Sequence, residues 1–438
     1  MTTSLRFPDA PEQRPVIVAG ARTPWIKSGT AFKKSSAADL GVQVVREVLA
    51  RAELHSADVD EVVLGCVGPL AKEANIARVV ALRAGIPAET PAFTVQRNCA
   101  SGFQAIEDAA RRIVTGEGSV YVVGGTECMS SYPLMFGDRM TALFERMFKS
   151  RSFMQRVKTL LSFRLSMLKP RIALVEGLTD PTCGMIMGLT AEKLANEWGI
   201  SRDEQDRFAL ESHRRASRAW EAGAFADEVL DVFLAPDGTA VSADNGPRKD
   251  QSLEQLGKLR PFFDRHEGTV TVGNACPVTD GAVALLMMSE AEAKRRGLAI
   301  RGKLVSSAVV GLDPSIMGLG PALAAPAALR AAGCTSKDVD LWEINEAFAA
   351  QAIACQKALD SNDFGRNQLG LDGAFGAPDP AKLNRRGGAI ALGHPIGATG
   401  ARLVLTAIDQ LRESGGLSVT TACVGGGQGA AQVWEVAA

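Results

Sequence analysis

One stretch of this chain occurs twice. Ser56-Ala57-Asp58-Val59-Asp60-Glu61-Val62-Val63-Leu64-Gly65 returns 280 residues later as Ser336-Lys337-Asp338-Val339-Asp340-Leu341-Trp342-Glu343-Ile344-Asn345. Each copy is an acidic turn leading into an apolar strand. What precedes each copy also repeats: a strand over 15–19 and a helix over about 38–52 in the first, a strand over 303–310 and a helix over 321–332 in the second. A helix after Cys99 has its counterpart over 400–412, stopped by Gly415-Gly416 and followed by a strand over 417–422. At 438 residues the chain is too long for one ordinary core, and the repeat marks a duplicated unit rather than a short-period array. Alternating strands and helices predict mostly parallel sheets covered by helices, with ligands bound where loops leave the carboxyl ends of strands.

Residues 129–261 fit neither copy and read as an inserted, mainly helical region, clearest at 191–197 and 202–222. The expected division is therefore 13–128 with 262–292 for the first half, 129–261 for the insertion and 300–438 for the second half. The first half is expected to resume at 268–274 and a strand over 282–288. Basic and acidic residues nearly cancel, 48 against 49, so nothing global points to nucleic acid. No apolar run approaches the roughly 20 residues of a membrane span. The N-terminus lacks a secretory apolar region, and eight cysteines without regular spacing suggest reduced thiols in the cytoplasm. No CxxC pair or His/Cys cluster suits zinc, so no metal is expected.

The chemistry is expected around Val95-Gln96-Arg97-Asn98-Cys99-Ala100-Ser101-Gly102-Phe103. A short strand over 91–95 precedes it. Phe103, Ile106, Ala110 and Ile113 then recur at the spacing of one helix face, and Gly116 ends the helix. At such a turn Cys99 faces the positive end of a helix, which favours thiolate over thiol. By itself Cys99 reads more readily as a buried structural thiol. Three further clusters change that balance. Asn345-Glu346-Ala347-Phe348 ends the duplicated strand, His394 lies in the glycine-rich loop 387–400, and Cys423-Val424-Gly425-Gly426-Gly427 pairs a strand-end thiol with exposed backbone amides. Together they offer a nucleophile, an imidazole base, a second thiol and oxyanion donors.

Cys99-Ala100-Ser101-Gly102, Asn345-Glu346-Ala347-Phe348, Gly393-His394-Pro395 and Cys423-Val424-Gly425-Gly426-Gly427 resemble the signature blocks of the thiolase family, in its order and spacing, over 16–436. The resemblance implies an α/β protein with a five-layered αβαβα fold, built from two duplicated halves with a loop domain inserted in the first. It implies that Cys99 accepts an acyl group from a 3-ketoacyl-CoA or acetyl-CoA. His394 would activate Cys99 and, with a water held by Asn345, stabilise the thioester enolate. Cys423 would exchange the proton at the α-carbon, and the amides of Cys99 and Gly425 would form a second oxyanion hole. Met187 and Phe348 are expected against the substrate. Cys276 stands where the family often has a small hydroxyl residue, so a CoA contact there would be made by a thiol. Acyl-CoA and CoA are the implied partners, with no cofactor besides CoA as substrate, and a homodimer or homotetramer is expected. The activity implied is that of a 3-ketoacyl-CoA thiolase of fatty-acid β-oxidation. An acetoacetyl-CoA thiolase working in condensation would use the same residues. A non-catalytic lipid- or CoA-binding relative would not need both thiols and His394, and a decarboxylating ketosynthase would not need Cys423.

Extra length at about 136–175 departs from that pattern. Residues 146–171 carry eight Lys/Arg and no Asp or Glu, with Phe153, Met154, Val157, Leu160, Leu161, Leu165 and Leu168 on a helical face. A packed helix with solvated basic side chains is one reading. A membrane-surface helix is another, and so is a docking element for a hydratase/dehydrogenase β-oxidation subunit.

Overall fold

The computed structural model describes residues 2–234 and 238–438. Nine strands carry the fold. The first half supplies β1 (Pro15–Arg22), β2 (Glu61–Gly65), β3 (Ala92–Val95), β4 (Val120–Cys128) and β5 (Thr279–Ser289). The second supplies β6 (Gly302–Gly311), β7 (Leu341–Ile344), β8 (Gly416–Val424) and β9 (Gln428–Val436). Their spatial order is β7-β8-β9-β6-β1-β5-β4-β2-β3. Read outward from the centre, β1-β5-β4-β2 mirrors β6-β9-β8-β7, so the duplication seen in sequence is a duplication of topology. The halves meet edge to edge through the antiparallel pairs Ile17–Gly302 and Val16–Lys303. The place of β3 beside β2 is kept in the second half only as a parallel bridge between Leu383 and Trp342.

The repeated acidic turn is a strand-aligning device. Asp60 Oδ2 accepts from the Ser119 and Val120 amides, and Asp340 Oδ2 accepts from Leu417 N. Each aspartate thereby ties the start of its strand to the parallel neighbour, fixing register before the apolar run begins.

Helix α1 (Ala37–Arg51) starts at a Ser36/Asp39 capping box, α2 spans Ile76–Ala84 and α3 spans Ser101–Thr115. Helices α4 (Met187–Glu197) and α5 (Arg202–Glu221) lie in the insertion. The second half has α6 (Gly320–Ala332), α7 (Ala349–Leu359) and α8 (Thr399–Leu411). Side-chain alternation along β5 sorts the layers. Val283, Leu285 and Met287 face a central cluster with Phe103 and Ile106 of α3 and Leu403 and Val404 of α8. Ala284, Leu286 and Met288 face an outer cluster with Leu40 and Val44 of α1 and Val80 of α2. In the second half α6 covers the outer face, with Leu329 packed among Trp342, Val419 and Val433. The result is αβαβα: in each half the sheet is covered on both faces, which explains its nearly continuous apolar strands.

The two central helices touch backbone to backbone. A Cβ on Gly102 would lie 2.6 Å from Ala401 N, and one on Gly400 would lie 2.6 Å from Phe103 N. Only glycine permits that approach, and it brings the turn before α3 alongside the loop before α8.

Two expected features differ. The sheet is mixed, not mostly parallel: β2 with β3, β2 with β4 and β7 with β8 run parallel, whereas β1 with β5, β5 with β4, β1 with β6, β6 with β9 and β8 with β9 run antiparallel. The first half resumes at 268–274 as a loop, and β5 begins at Thr279. Asn274 orders that loop by accepting from Thr271 N and donating to Asp206 and to Thr269 O. The basic segment is not one helix. It is a hairpin of helices, Asp138–Lys149 and Phe153–Leu161, with a 3₁₀ turn at Leu165–Leu168. Ser152 starts the second helix with a capping box to Gln155, and so breaks the run that the apolar spacing suggested. The pairs Leu134–Ile172 and Met135–Arg171 close the base of the hairpin.

Candidate active site

Cys99 sits between β3 and α3 in a turn pinned to both halves. Asn98 adopts a left-handed backbone (φ 43°), a conformation Asn tolerates better than most residues, and its Nδ2 donates to Gly425 O at 2.7 Å. Ser101 Oγ accepts from Arg97 N and donates to Asn98 O. The amides of Gly425 and of Cys99 itself lie beside the Cys99 sulfur and oppose the rise of its thiol. These are the two N–H groups expected to face an oxyanion, and they converge on the nucleophile.

The expectation that Cys99 rests as a thiolate is not met. Burial pushes its thiol up to about 11, against the opposing pull of the two amides. A helix terminus acts over its own first turn, and here desolvation is the larger effect. Cys99 therefore keeps its proton at neutral pH and needs a base.

His394 has the free lone pair for that task. It is buried, and its Nδ1 lies 2.6 Å from Thr399 Oγ1. That hydroxyl gives its own proton to Pro395 O, 2.9 Å away, so it accepts from Nδ1–H. The hydrogen-bond direction thus assigns the tautomer and leaves Nε2 unprotonated, with no partner among the described residues. Burial, aided by the Arg402 charge, pushes the imidazole down to about 3, so it is neutral near pH 7.

Asn345 follows β7 beside the end of β8, where Ile344 pairs with Thr421. Both amide atoms of its fully buried side chain lack a partner among the described residues, which suits a group that meets substrate or water during turnover. Glu346 fixes the loop behind it, accepting from Ser212 Oγ (2.6 Å), Asn384 Nδ2 (2.8 Å) and Ile390 N (3.3 Å).

Cys423 lies at the end of β8. Burial first, and then the neighbouring Cys99, raise its thiol well above the ordinary range. Cys276 is pushed up to about 12 by the same two causes in the same order. The mutual effect of Cys99, Cys276 and Cys423 places the three thiols near one another. Cys276 N donates to Ala347 O, and Ala275 bridges to Phe348, whose ring centre is 5.9 Å from that of Phe263. Met187 lies against the Gly425 turn: a Cβ on Gly425 would be 3.2 Å from its Sδ. Its helix starts one turn earlier than the expected 191, at Met187 itself.

The structure thus brings Cys99, Cys276, Cys423, Gly425 and Met187 together, with Phe348 next to Cys276 and with His394 and Asn345 on the adjoining loops. Sequence reasoning gave no role to Asn98, Thr399, Glu346 or Glu127. Thr399 and Glu346 stood inside quoted motifs, five residues after His394 and directly after Asn345, so the signal was proximity alone.

Two neighbouring thiols, a buried imidazole and two amides beside one sulfur, at the carboxyl ends of strands in a duplicated α/β fold, are the groups that acyl transfer through a thioester would use. Family models of the thiolase N-terminal domain and C-terminal domain match residues 15–291 and 298–436. A 3-ketoacyl-CoA thiolase of Yersinia enterocolitica is 42% identical over 425 residues, covering 97% of each chain. The crystal structure of Bacillus anthracis acetyl-CoA acetyltransferase superposes with a TM-score of 0.85 at 37% identity, covering 97% of this chain and 99% of that one. Human mitochondrial 3-ketoacyl-CoA thiolase in complex with CoA gives 0.84 at 37% identity, covering 97% and 98%. This chain belongs to the thiolase family.

Proposed function

We propose that the chain cleaves 3-ketoacyl-CoA with CoA, giving acetyl-CoA and a shortened acyl-CoA. The observation that carries this reading is the closeness of the two buried-site thiols Cys99 and Cys423, with the Gly425 and Cys99 amides beside the Cys99 sulfur and burial raising both thiols. His394 Nε2 takes the Cys99 proton as the sulfur attacks the 3-keto carbon, and the amides of Cys99 and Gly425 hold the oxyanion. The bond between the α- and β-carbons then breaks, its electron pair entering the acetyl-CoA enolate. His394, now carrying Nε2–H, and a water on Asn345 support the enolate oxygen, and the Cys423 S–H delivers its proton to carbon. In the second half reaction the Cys423 thiolate takes the proton of CoA–SH, whose sulfur attacks the Cys99 thioester. Cys99 leaves and recovers its proton from His394. Met187, Phe348 and Cys276 line the substrate side.

Thiolysis rates across 3-ketoacyl-CoA chain lengths test this. The reading expects longer substrates to be cleaved at least as well as acetoacetyl-CoA. Activity confined to acetoacetyl-CoA, with condensation of acetyl-CoA as the favoured use, would support an acetyl-CoA C-acetyltransferase instead. Fatty-acid β-oxidation as the setting and a homodimer or homotetramer as the assembly belong to this reading and rest on the family resemblance. All eight cysteines are unpaired thiols, which supports a cytoplasmic location. No helix of the described residues is long and apolar enough to cross a membrane.

The same reading extends to the basic hairpin, which we take to dock on an anionic lipid surface. Its apolar face does not pack: Phe148, Phe153, Met154, Leu161 and Leu165 are 93%, 80%, 74%, 75% and 79% exposed. Arg146, Lys149 and Lys158 line a cleft of about 500 Å³ with Ser150, Gln155, Thr159 and Ser162, and no acid lines it. A second copy of so basic a surface would repel the first, whereas phosphate headgroups complement it. Each basic side chain near such a surface adds about 1 kcal/mol, so changing Arg151, Arg156, Lys158 and Arg164 to Gln should weaken vesicle binding ~10²-fold or more. Acetoacetyl-CoA thiolysis should be unchanged. Flotation with phosphatidylglycerol vesicles at low salt is the check. Absence of wild-type binding would refute the proposal, and co-purification of a hydratase/dehydrogenase without lipid would assign the hairpin to that partner.

A further inference from the structure

We propose that Glu127, which no step above uses, is a positioning residue that holds the His394 loop against the Cys99 turn. This rests on the thiolysis reading of the site. Glu127 is fully buried near the end of β4 and makes no ion pair among the described residues. Its Oε2 accepts from Val67 N at 2.9 Å and Gly397 N at 3.0 Å. Its Oε1 accepts from Gly68 N at 3.1 Å, from the Tyr132 hydroxyl at 3.0 Å and from Cys66 Sγ at 3.6 Å. Every partner is a donor. Three of the five partners are backbone N–H groups that can only donate, and they favour the carboxylate although burial opposes the charge.

Gly397 is three residues beyond His394. Gly125, two residues before Glu127 on the same face of β4, leaves the space the loop occupies: a Cβ there would lie 2.0 Å from Gly397 O. The strand thus seats the loop with one residue and grips it with the next on that face. The grip also reaches the loop after β2 and Tyr132, at the start of the inserted region, so three segments distant in sequence converge on one carboxylate. Glu127 is also close enough to Cys99 to add to the rise of its thiol, after burial has set most of it. The titratable groups facing Cys99 are thus Glu127, Cys276 and Cys423. Those facing Glu127 are Cys66 and Tyr132, with Glu73 near Cys66; burial, then the Glu127 charge, raises both Cys66 and Tyr132.

Two variants separate geometry from charge. Glu127→Asp keeps the charge but withdraws it from the Gly397 amide. Glu127→Gln keeps the length, removes the charge and turns an NH₂ toward N–H donors. Both should lower kcat about 10–100-fold, the loss that a displacement near 1 Å produces, with KM within threefold of wild type. The pH midpoint for iodoacetamide alkylation of Cys99, read by peptide mass spectrometry, should fall by about half a unit or more in Glu127→Gln, because the thiolate loses a negative neighbour. It should stay at the wild-type value in Glu127→Asp. Wild-type kcat in both variants, or a midpoint that does not move in Glu127→Gln, would overturn the proposal. If neither variant folds, Tyr132→Phe removes one donor and should lower kcat about threefold, and an unchanged kcat there counts against it. Alkylation needs no turnover, so the inference stands or falls even if the wild-type enzyme prefers another acyl-CoA.

Discussion

A Cys423→Ser variant should still take an acetyl group from acetyl-CoA onto Cys99, yet cleave acetoacetyl-CoA about 10²–10⁴-fold more slowly than wild type. Acylation needs Cys99, a base and oxyanion donors; Cys423 would serve it only by protonating the departing CoA thiolate, and a thiolate, with a thiol pKa of about 8.5, can leave without that proton. Cleavage needs a proton delivered to carbon and later recovered from CoA–SH. The Cys423 thiol already holds its proton well above the usual thiol range, so it is a competent donor, and the incoming thiol is a matched partner for its thiolate. A serine hydroxyl is a much weaker acid and cannot shuttle that proton near neutral pH. Serine is close in size, so the end of β8 should keep its pairing with β9 through Cys423–Gly429. Burst measurement of enzyme acylation beside steady-state cleavage gives both numbers. Near wild-type cleavage would remove Cys423 from the mechanism.

His394→Asn should impair both half reactions, and the pH dependence should show why. With the Cys99 thiol at about 11, only roughly one molecule in 10⁴ carries a thiolate at pH 7 without a base. The asparagine variant should therefore acylate about 10²–10⁴-fold more slowly. Its residual rate should climb about tenfold per pH unit, because deprotonation follows rising pH until the thiol pKa is reached. The wild-type rate should depend on pH far less over the same range, since His394 is neutral there and needs no titration to accept a proton. A residual rate flat from pH 7 to 9 would mean that thiolate formation is not what His394 supplies.

Much of this architecture was legible because it is written twice. The two acidic turns announced two equivalent strands, and the strand order repeats about the β1–β6 contact. Strands buried on both faces and helices buried on one left clear apolar patterns, so the helices after Cys99 and at 321–332 fell close to their expected bounds. Side-chain placement within the site was less legible. The state of Cys99 depends on how much water the fold removes, and a helix N-terminus signals only the opposing effect. The role of Thr399 depends on a hydrogen-bond direction, Nδ1–H to Oγ1 and Oγ1–H to Pro395 O, that no spacing encodes. Glu127 draws its donors from Cys66, Val67, Gly68, Tyr132 and Gly397, and that convergence exists only after folding. In the basic hairpin, periodicity correctly signalled helix. It could not signal the break at Ser152, where a capping box outweighs continued apolar spacing.

The central claim is that Cys99 carries the acyl group, and direct labelling tests it. Enzyme incubated with acetyl-CoA, quenched in acid and digested should yield one acetylated cysteine peptide containing Cys99, in wild type and in Cys423→Ser alike. Acetyl found on Cys423 or Cys276 with Cys99 free would contradict the account.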